Sequence, residues 1–387
     1  MPKTWNVALI MKSSQRYDRR IVRGVAARAH EAGNWSLYVE EDPQLRIPEL
    51  QSWHWDGMIA DFDDRKTAET VRHLRWPVVG IGGGFGWYDP DSKIPYLTTD
   101  NRAIGILAAE HLLDRGFTRF AYCGYPRNRI NGWSQVRAGA FAQRLEQAGH
   151  GCATFTGRKH SARQWGKVQS ELSDWLASLE KPIGLMACND IRARHVLEAC
   201  RKLGLRVPDD IAVIGVDNDE VMCELTHPPL TSIEQGSVTI GYKAAVLLER
   251  LMDRRRAPRK PMLIGPEGIV IRQSTDILAI DSAPLAHAVA FIRAHADEGI
   301  QVPDVLREVD VSRSTLDKQC RAVLGRTIHE EIQRVRLDQA KRLLVTTNLP
   351  VHEIARRAGF RYVQYFTNVF RQQAGCAPGQ YRKRARA

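Results

Sequence analysis

The chain has 387 residues, of which 43% are hydrophobic and 26% charged, with a formal net charge of +12. This is an ordinary globular balance with an ample core and room for two or three domains. No window approaches the ~18 consecutive apolar residues of a membrane span, which excludes a membrane-spanning helix.

The start, MPKTWNVALIMKSSQRYD, carries too short an apolar run for a signal peptide and no small-residue cleavage site. A cytoplasmic location is therefore expected, and WNVALIMK reads as a first strand. RRIVRGVAARAHEAG follows as an amphipathic helix. WSLYVEE, DGMIADF and PVVGIGG are strands, AIGILAAEHLLDRG a helix, and RFAYCGY a strand. GWSQVRAGAFAQRLEQAG is a helix, PIGLMACND a strand, and RARHVLEACRKLG a helix. DIAVIGVDN is a strand and TIGYKAAVLLERLM a helix. Short apolar strands alternating with amphipathic helices predict parallel α/β sheets, and the length suits two lobes.

RRRAPRK (254–260) reads as a solvated basic loop. STDILAIDSAP has no strong period and ends in Pro284, so residues 274–284 are expected to be a linker. The expected domains are thus 1–273 and 285–387. Beyond the linker the chain is helical only. Residues 281–387 carry 18 Lys+Arg against 11 Asp+Glu, so over half of the excess charge lies there. That fits an electrostatic footprint for nucleic acid, or a solvated basic tail.

Within this region VHEIARRAGFRYVQYFTNVF (351–370) places Ile354 and Ala358 on one helix face, and Phe366 and Phe370 on another. Gly359 stands where the first helix must stop. This is a helix-turn-helix pattern or an ordinary helical hairpin. A second copy lies upstream: Val305, Val309 and Val311 match Ile354, Ala358 and Phe360 at an offset of 49. Leu316 and Cys320 match Phe366 and Phe370 at an offset of 50. The second turn is therefore one residue longer. Between the copies, Ile332, Val335, Gln339 and Leu343 are expected to form one helix stripe.

The strand ends of the first 270 residues read SSQRYDRR, ADFDD, GIGGG, CGYPRNRINGW, ACND and GVDN. Ligands in open α/β lobes bind beyond the carboxyl ends of strands. Carboxylates accept from sugar hydroxyls, Arg and Asn donate, and aromatic faces cover a pyranose, so the composition points to a polyol pocket. Tyr17, Asp18, Arg19, Asp63 and Trp133 are placed in it from these strand ends. Asp61, Asp63 and Asp64 read as turn and cap residues before they read as metal ligands. GIGGGFG fails the dinucleotide pattern and no catalytic constellation is visible, so no cofactor, metal or catalytic residue is expected. The seven scattered cysteines contain no C-x-x-C pair and are expected to be reduced thiols.

RVRLDQAKRLLVTTNLPVHEIARRAGFRYVQYFTNVFRQQAGCAPGQYRK closely resembles the C-terminal domain of the AraC/XylS family of transcription factors. R-x-x-x-A-x-x-L-L, I-A-x-x-x-G-F, Y-F-x-x-x-F and P-x-x-Y-R occur in order. The resemblance implies base-reading residues Arg313, Ser314, Asp317 and Lys318 in the first copy. In the second it implies Val363, Gln364, Tyr365 and Asn368. Arg321, Arg371 and Arg382 are better placed for phosphates. Cys320 departs from the family's usual aromatic residue. Arg361 stands where a capping Ser or Asp is common, whereas Ser312 fits as a cap.

TTDNRAIGILAAEHLLDRGFTRFAYCG, ACNDIRARHVLEACRKLGLRVPDDIAVIGVDN and PPLTSIEQGSVTIGYKAAVLLERL resemble the effector-binding core of the LacI/GalR family over residues 5–273. This implies a two-lobed periplasmic-binding-protein-like sensor, with Arg137, Asp190 and Asp217 at sugar-contacting positions. Asn218 follows in the same loop, and Asp100 aligns with a hinge carboxylate. That family's DNA-binding headpiece precedes the core, whereas this chain begins at the first strand. YDRRIVRGV, VEED, IADFDD and RARH resemble xylose-responsive activators that join these two parts. The resemblance implies D-xylose or a related pentose as effector, a double-stranded DNA operator, RNA polymerase and a second copy as partners, and no membrane. A transport-type sugar-binding protein, a carbohydrate enzyme, and a repressor or a sensor of another pentose are the alternatives.

Overall fold

The computed structural model describes residues 4–11, 16–40, 54–157, 165–256, 258, 260–276, 282–347 and 349–386. They fall into two compact units, Met1–Ile277 and Leu278–Ala387.

The first unit holds two parallel sheets. One has the order β11-β5-β4-β3-β1-β2 and the other β12-β10-β9-β8-β6-β7. The first lobe is built from β1 (Trp5–Ile10), β2 (Trp35–Glu40), β3 (Gly57–Asp61), β4 (Val78–Gly82), β5 (Tyr96–Thr99) and β11 (Met262–Ile264). The second is built from β6 (Phe120–Cys123), β7 (Cys152–Phe155), β8 (Ile183–Ala187), β9 (Ile211–Val216), β10 (Thr231–Glu234) and β12 (Gly268–Val270). Only β12 pairs antiparallel, to β10, among the described ladders. Strands covered on both faces read as unbroken apolar runs. That is why VALI of β1, IGLMA of β8 and IAVIGV of β9 are buried throughout.

Helices cover these sheets: α1 (Arg16–Ala32), α2 (Arg65–Val71), α3 (Asn101–Leu113), α4 (Gly132–Gln147), α5 (Trp165–Ser178), α6 (Asp190–Lys202), α7 (Glu220–Glu224) and α8 (Ser237–Met252). Although α8 follows a strand of the second lobe, Ile240, Ala244 and Leu248 join the core of the first lobe. Its packing on α1 is backbone to backbone. A Cβ on Gly241 would lie 2.0 Å from the Ile21 carbonyl oxygen, and one on Gly24 2.0 Å from that of Val238.

Both ends of the stretch expected to be a linker, 274–284, make defined contacts. Ser274 and Thr275 are wholly buried in the first unit. The Ser274 hydroxyl bonds the Val213 carbonyl at 2.6 Å, and Thr275 meets His111 at 2.8 Å. At the other end Ser282 caps α9 (Ala283–His295), so Pro284 is already helical. Residues 277–281 lie outside the described residues.

The second unit contains α9 to α15. The first helix-turn-helix is α10 (Val302–Arg307) and α11 (Arg313–Leu324). A capping box of Thr327 and Glu330 starts α12 (Ile328–Thr346). The second copy is α13 (Val351–Arg357) and α14 (Val363–Ala374), followed by α15 (Pro378–Arg386). Helix starts reproduce the 49-residue offset before the turn and the 50-residue offset after it. The repeat also runs further than its apolar skeleton: Gly325 and Gly375 end α11 and α14 in the left-handed region, at φ 67° and 68°.

Two cores flank α12. Ile328 and Ile332 pack with Val305, Leu316 and Cys320, whereas Leu337, Ala340 and Leu344 pack with Ile354, Phe366 and Phe370. The single stripe of Ile332, Val335, Gln339 and Leu343 is thus corrected to two faces. Gln339 lies between them and donates to the Arg357 carbonyl at 3.3 Å. A helix serving two cores cannot show one period.

Candidate functional site

The chain crosses between the lobes of the first unit three times: from β5 into α3, from β10 into α8, and from β11 into β12. The crossings are tied together. Asp100 N–H donates to the Ile264 carbonyl and Glu267 N–H to the Glu234 carbonyl, both at 2.8 Å. Gly236 takes φ 71°, and a Cβ there would stand 2.7 Å from the Gly265 carbonyl oxygen. Asp100 itself caps α3, accepting from Ala103 N–H at 2.9 Å. It is therefore a hinge residue first.

Against this hinge lies a buried polar network. Arg137 projects from α4 and is only 2% exposed. Its guanidinium donates to Asn101 Oδ1 at 2.8 Å, the Cys188 carbonyl at 2.6 Å and Gln235 Oε1 at 3.0 Å. Gln235 is the hub: its Oε1 also accepts from Thr99 at 3.3 Å, and its Nε2 donates to Asp217 Oδ1. Thr99 meets Tyr17 at 3.2 Å, and Tyr17 donates to the Gly82 carbonyl at 3.0 Å. Asn101 reaches the Gly83 carbonyl at 2.7 Å. The strand ends of both lobes are thereby joined through the hinge.

Asp217 has φ 111° and Asn218 φ 46°, left-handed conformations that cost a side-chain-bearing residue of order 1–3 kcal/mol. Burial pushes the Asp217 carboxyl up to about 7. Arg137 opposes that shift, Asp219 and Glu234 add to it, and Arg16 opposes it. In the first lobe, burial and the charge of Asp61 raise Asp63 well above the carboxylate range, with a smaller push from Asp18. Asp63 Oδ2 accepts from Gly83 N–H at 2.8 Å, while its buried Oδ1 has no partner among the described residues. Trp133 offers its ring to Arg137 at 4.6 Å and packs beside Gly84 of the other lobe.

Tyr17, Asp18, Asp63, Trp133, Arg137 and Asp217 are thus gathered at the interlobe strand ends. Three expected residues are placed differently. Arg19 lies on the exposed side of α1, and Arg16 and Arg20 instead reach Glu220, at 3.0 Å, and Glu234. Asp190 is 1% exposed and spends its oxygens on Ser232 at 2.5 Å, Asp219 N–H at 2.7 Å and Cys223 at 3.5 Å. It holds the Asp217–Asp219 loop from behind. Asn218 turns to Glu234 at 3.3 Å and Arg272 at 2.9 Å. Asp61 and Asp64 serve as turn and cap, bonding Asp63 N–H at 2.8 Å and Thr67 N–H at 2.9 Å. Ser13, Ser14 and Gln15 of the first strand end lie outside the described residues.

Strand-end reading missed Asn101, Gln235 and Asn189. The last caps α6 and accepts from Tyr125 at 3.3 Å. Asn189 lies in the ACND segment at the end of β8. Gln235 and Asn101 follow strands too short for their apolar pattern to stand out.

The raised Asp217 carboxyl sets a pH dependence. Between the unfolded value of 3.8 and the folded value of about 7, the folded state holds the extra proton. Stability of the first unit should therefore fall as pH rises from about 4 to 7, by at most ~1.4 kcal/mol per pH unit for this group. Urea unfolding at pH 5, 6 and 7 should show a steeper fall in the native chain than in Asp217→Asn. Equal slopes would refute the assignment.

In the second unit, α11 exposes Arg313, Ser314 and Lys318, and α14 exposes Val363, Gln364, Tyr365 and Asn368. Ser312 caps α11, accepting from Thr315 N–H at 3.2 Å. At α14 the cap position falls on Tyr362, whose side chain makes no capping bond. Tyr365 is joined through its hydroxyl to Gln333 of α12. Asp317 faces inward, accepting from Ile328 N–H at 3.1 Å, so it fastens α11 to α12. Arg382 likewise donates to the Leu349 carbonyl, whereas Arg321 and Arg371 are exposed. Sequence reasoning also passed over Tyr362, 63% exposed beside Val363.

Residues 6–102 match a model described as the XylR N-terminal domain, 109–275 a periplasmic binding protein-like domain, and 305–384 a helix-turn-helix domain. The xylose operon regulatory protein of Escherichia coli strain K12 is 35% identical over 381 residues, covering 98% of this chain and 97% of the relative. That of Haemophilus influenzae is 33% identical, covering 98% of each chain. A solved structure of the xylose-binding transcription activator xylR superimposes with a TM-score of 0.76 at 34% identity, over 99% of this chain and 98% of that one. With a relative this similar along its whole length, the chain belongs to the family of xylose operon regulatory proteins.

Proposed function

We propose that this protein is a sugar-responsive, DNA-binding transcriptional activator whose effector is D-xylose or a related pentose. The observation that carries the reading is the joining of two devices in one chain. An interlobe polar network offers Asp63, Asp217, Arg137 and Trp133 beside a hinge. A duplicated helix-turn-helix exposes base-reading side chains on both second helices. Sugar hydroxyls bond the Asp63 and Asp217 carboxyl groups, the Arg137 network fixes their orientation, and the Trp133 face covers the apolar side of the ring. Closure of the lobes around the sugar biases the arrangement of a homodimer. Two helix-turn-helix units per chain then read successive major-groove segments of an operator in the cytoplasm, and RNA polymerase is the partner for activation. Binding, not turnover, is the whole of the chemistry.

An operator is first selected from randomised duplex DNA with the full-length chain. Its affinity is then measured with and without D-xylose, and sugar affinity with and without operator. The two ratios must agree, because coupling between sites is reciprocal. Affinity should fall linearly with salt on a double-logarithmic plot, with a slope of about −0.9 per phosphate neutralised. Lys318→Ala should lower the affinity and Gln364→Ala should relax base preference, each by about 1–3 kcal/mol. Identical operator affinities with and without the sugar would overturn control through binding.

A further inference from the structure

A cavity of about 320 Å³ opens beside the hinge of the first unit. Tyr17, Asp63, Arg137, Asp217 and Gln235 do not line it, whereas Thr99, Asn101 and Trp133 line it and belong to the polar network. Its apolar surface is Phe85 and Leu263 from one lobe, and Ile130, Trp133 and Val136 from the other. Four of these are unusually open for their type: Phe85 54%, Leu263 53%, Ile130 49% and Val136 49% exposed. A contiguous apolar surface of this kind, concave and crossing two lobes, marks a binding site.

The charges around it are one-sided. Arg102, Arg127 and Arg129 line the cavity, against the single carboxylate of Asp100. Asp100 is engaged in capping α3. Arg102 and Arg127 are exposed and form no ion pair among the described residues. Arg129 lies 3.9 Å over the Trp87 ring, bonding the Gly86 carbonyl at 3.4 Å, and so presents its charge at the cavity mouth. Asn131 leaves the first turn of α4 without a side-chain cap just where Gly132 and Trp133 line the wall. Uncapped N–H groups add partial positive charge.

We propose that this cavity is a second ligand site, for a small organic anion that has an apolar, planar or branched body and one carboxylate, sulfonate or phosphate group. The body lies among Phe85, Ile130 and Val136, and the anion meets Arg127 and Arg102. Because its walls come from both lobes and include Thr99, Asn101 and Trp133 of the polar network, occupancy biases the lobe angle and is coupled to any occupant of that network.

The test uses the full-length chain without sugar, with anilinonaphthalene sulfonate as the anionic probe and phenylnaphthylamine as its uncharged counterpart. The sulfonate should saturate at one per chain. Val136→Glu should weaken both probes at least tenfold. Arg127→Glu should weaken the sulfonate at least tenfold and the amine less than twofold. Val221→Glu, at an exposed apolar residue outside the cavity, should change neither, and unchanged unfolding midpoints exclude a folding defect. Non-saturating binding, or equal loss in Val221→Glu, would overturn the site. Equal response of the two probes to Arg127→Glu would overturn the anion. A change in oligomeric state in Val136→Glu with probe affinity unaltered would make the face a contact between copies instead.

Discussion

Replacing Arg137 by methionine is expected to lower sugar affinity at least 100-fold, equivalent to about 2.7 kcal/mol. The side chain is 2% exposed, and its three hydrogen bonds end on Asn101, the Cys188 carbonyl and Gln235. Methionine preserves much of the volume but leaves these acceptors without their donor. It also removes the positive charge that opposes the upward shift of Asp217. Removing one partner from a buried charged network typically costs about 3–5 kcal/mol. The first unit should lose comparable stability, while unfolding of the second unit stays in place. Asp217→Asn separates the two effects: it removes the charged acceptor but keeps the shape, so sugar affinity should fall with stability retained. Isothermal titration with D-xylose, alongside scanning calorimetry, reads both. Full sugar affinity in both variants would place the effector elsewhere.

Gly359→Ala is expected to destabilise the second unit by about 3 kcal/mol and to abolish operator binding near the new midpoint. Gly359 sits at φ 78°, where a Cβ costs roughly 1–2 kcal/mol. It ends α13 with paired bonds, Gly359 N–H to Arg356 at 3.0 Å and Phe360 N–H to Ala355 at 2.9 Å. The added Cβ would also lie 2.1 Å from the Ala296 carbonyl oxygen and 3.0 Å from Arg336 Nε. Those two atoms are already partners: buried Arg336 donates from Nε to Ala296 at 2.9 Å and to the Ile300 carbonyl at 2.6 Å, and passes its charge 5.8 Å from the Phe360 ring. The substitution therefore strikes the point where the two helix-turn-helix copies meet. Asp310→Ala, at the matching position of the first copy, is the control. Asp310 is absent from the positive-φ residues of the described chain, so little should change. Comparable losses in the two variants would show that the clash at Gly359 is not the cause.

Much of this protein was readable because its signals are local. Buried parallel strands announce themselves as apolar runs, so the major strands of both sheets were placed. The strands missed, such as Tyr96–Thr99, Thr231–Glu234 and Met262–Ile264, are only three or four residues long. Tyr96–Thr99 and Thr231–Glu234 are also mixed in polarity because they end at the hinge, where polar side chains have a use. The helix-turn-helix repeat was legible in its offsets because the same five apolar positions pack into the core of each copy, with Val311 alone only partly buried.

The site divides along the same line. Arg137, which lies within α4, and Asp217 came from the resemblance to the LacI/GalR family; that Tyr17, Asp63 and Trp133 stand near strand ends follows from alternation alone. Which of the neighbouring polar residues faces inward does not. Asp190 and Asp217 both end a strand in an acidic loop, yet one is consumed by Ser232 and a backbone N–H while the other meets Arg137's network. Arg19 and Arg20 are adjacent, and only helix phase against the opposite lobe selects Arg20 for Glu234. Asp317 reads as a recognition residue until the start of α12 is brought to it. By itself, then, the sequence determined element types, the two-unit order and the repeat, since these rest on periods within a few residues. Only the tertiary structure decided the partners of each charge, because a buried polar group is fixed by whichever donor or acceptor folding brings within ~3 Å, however distant in the chain.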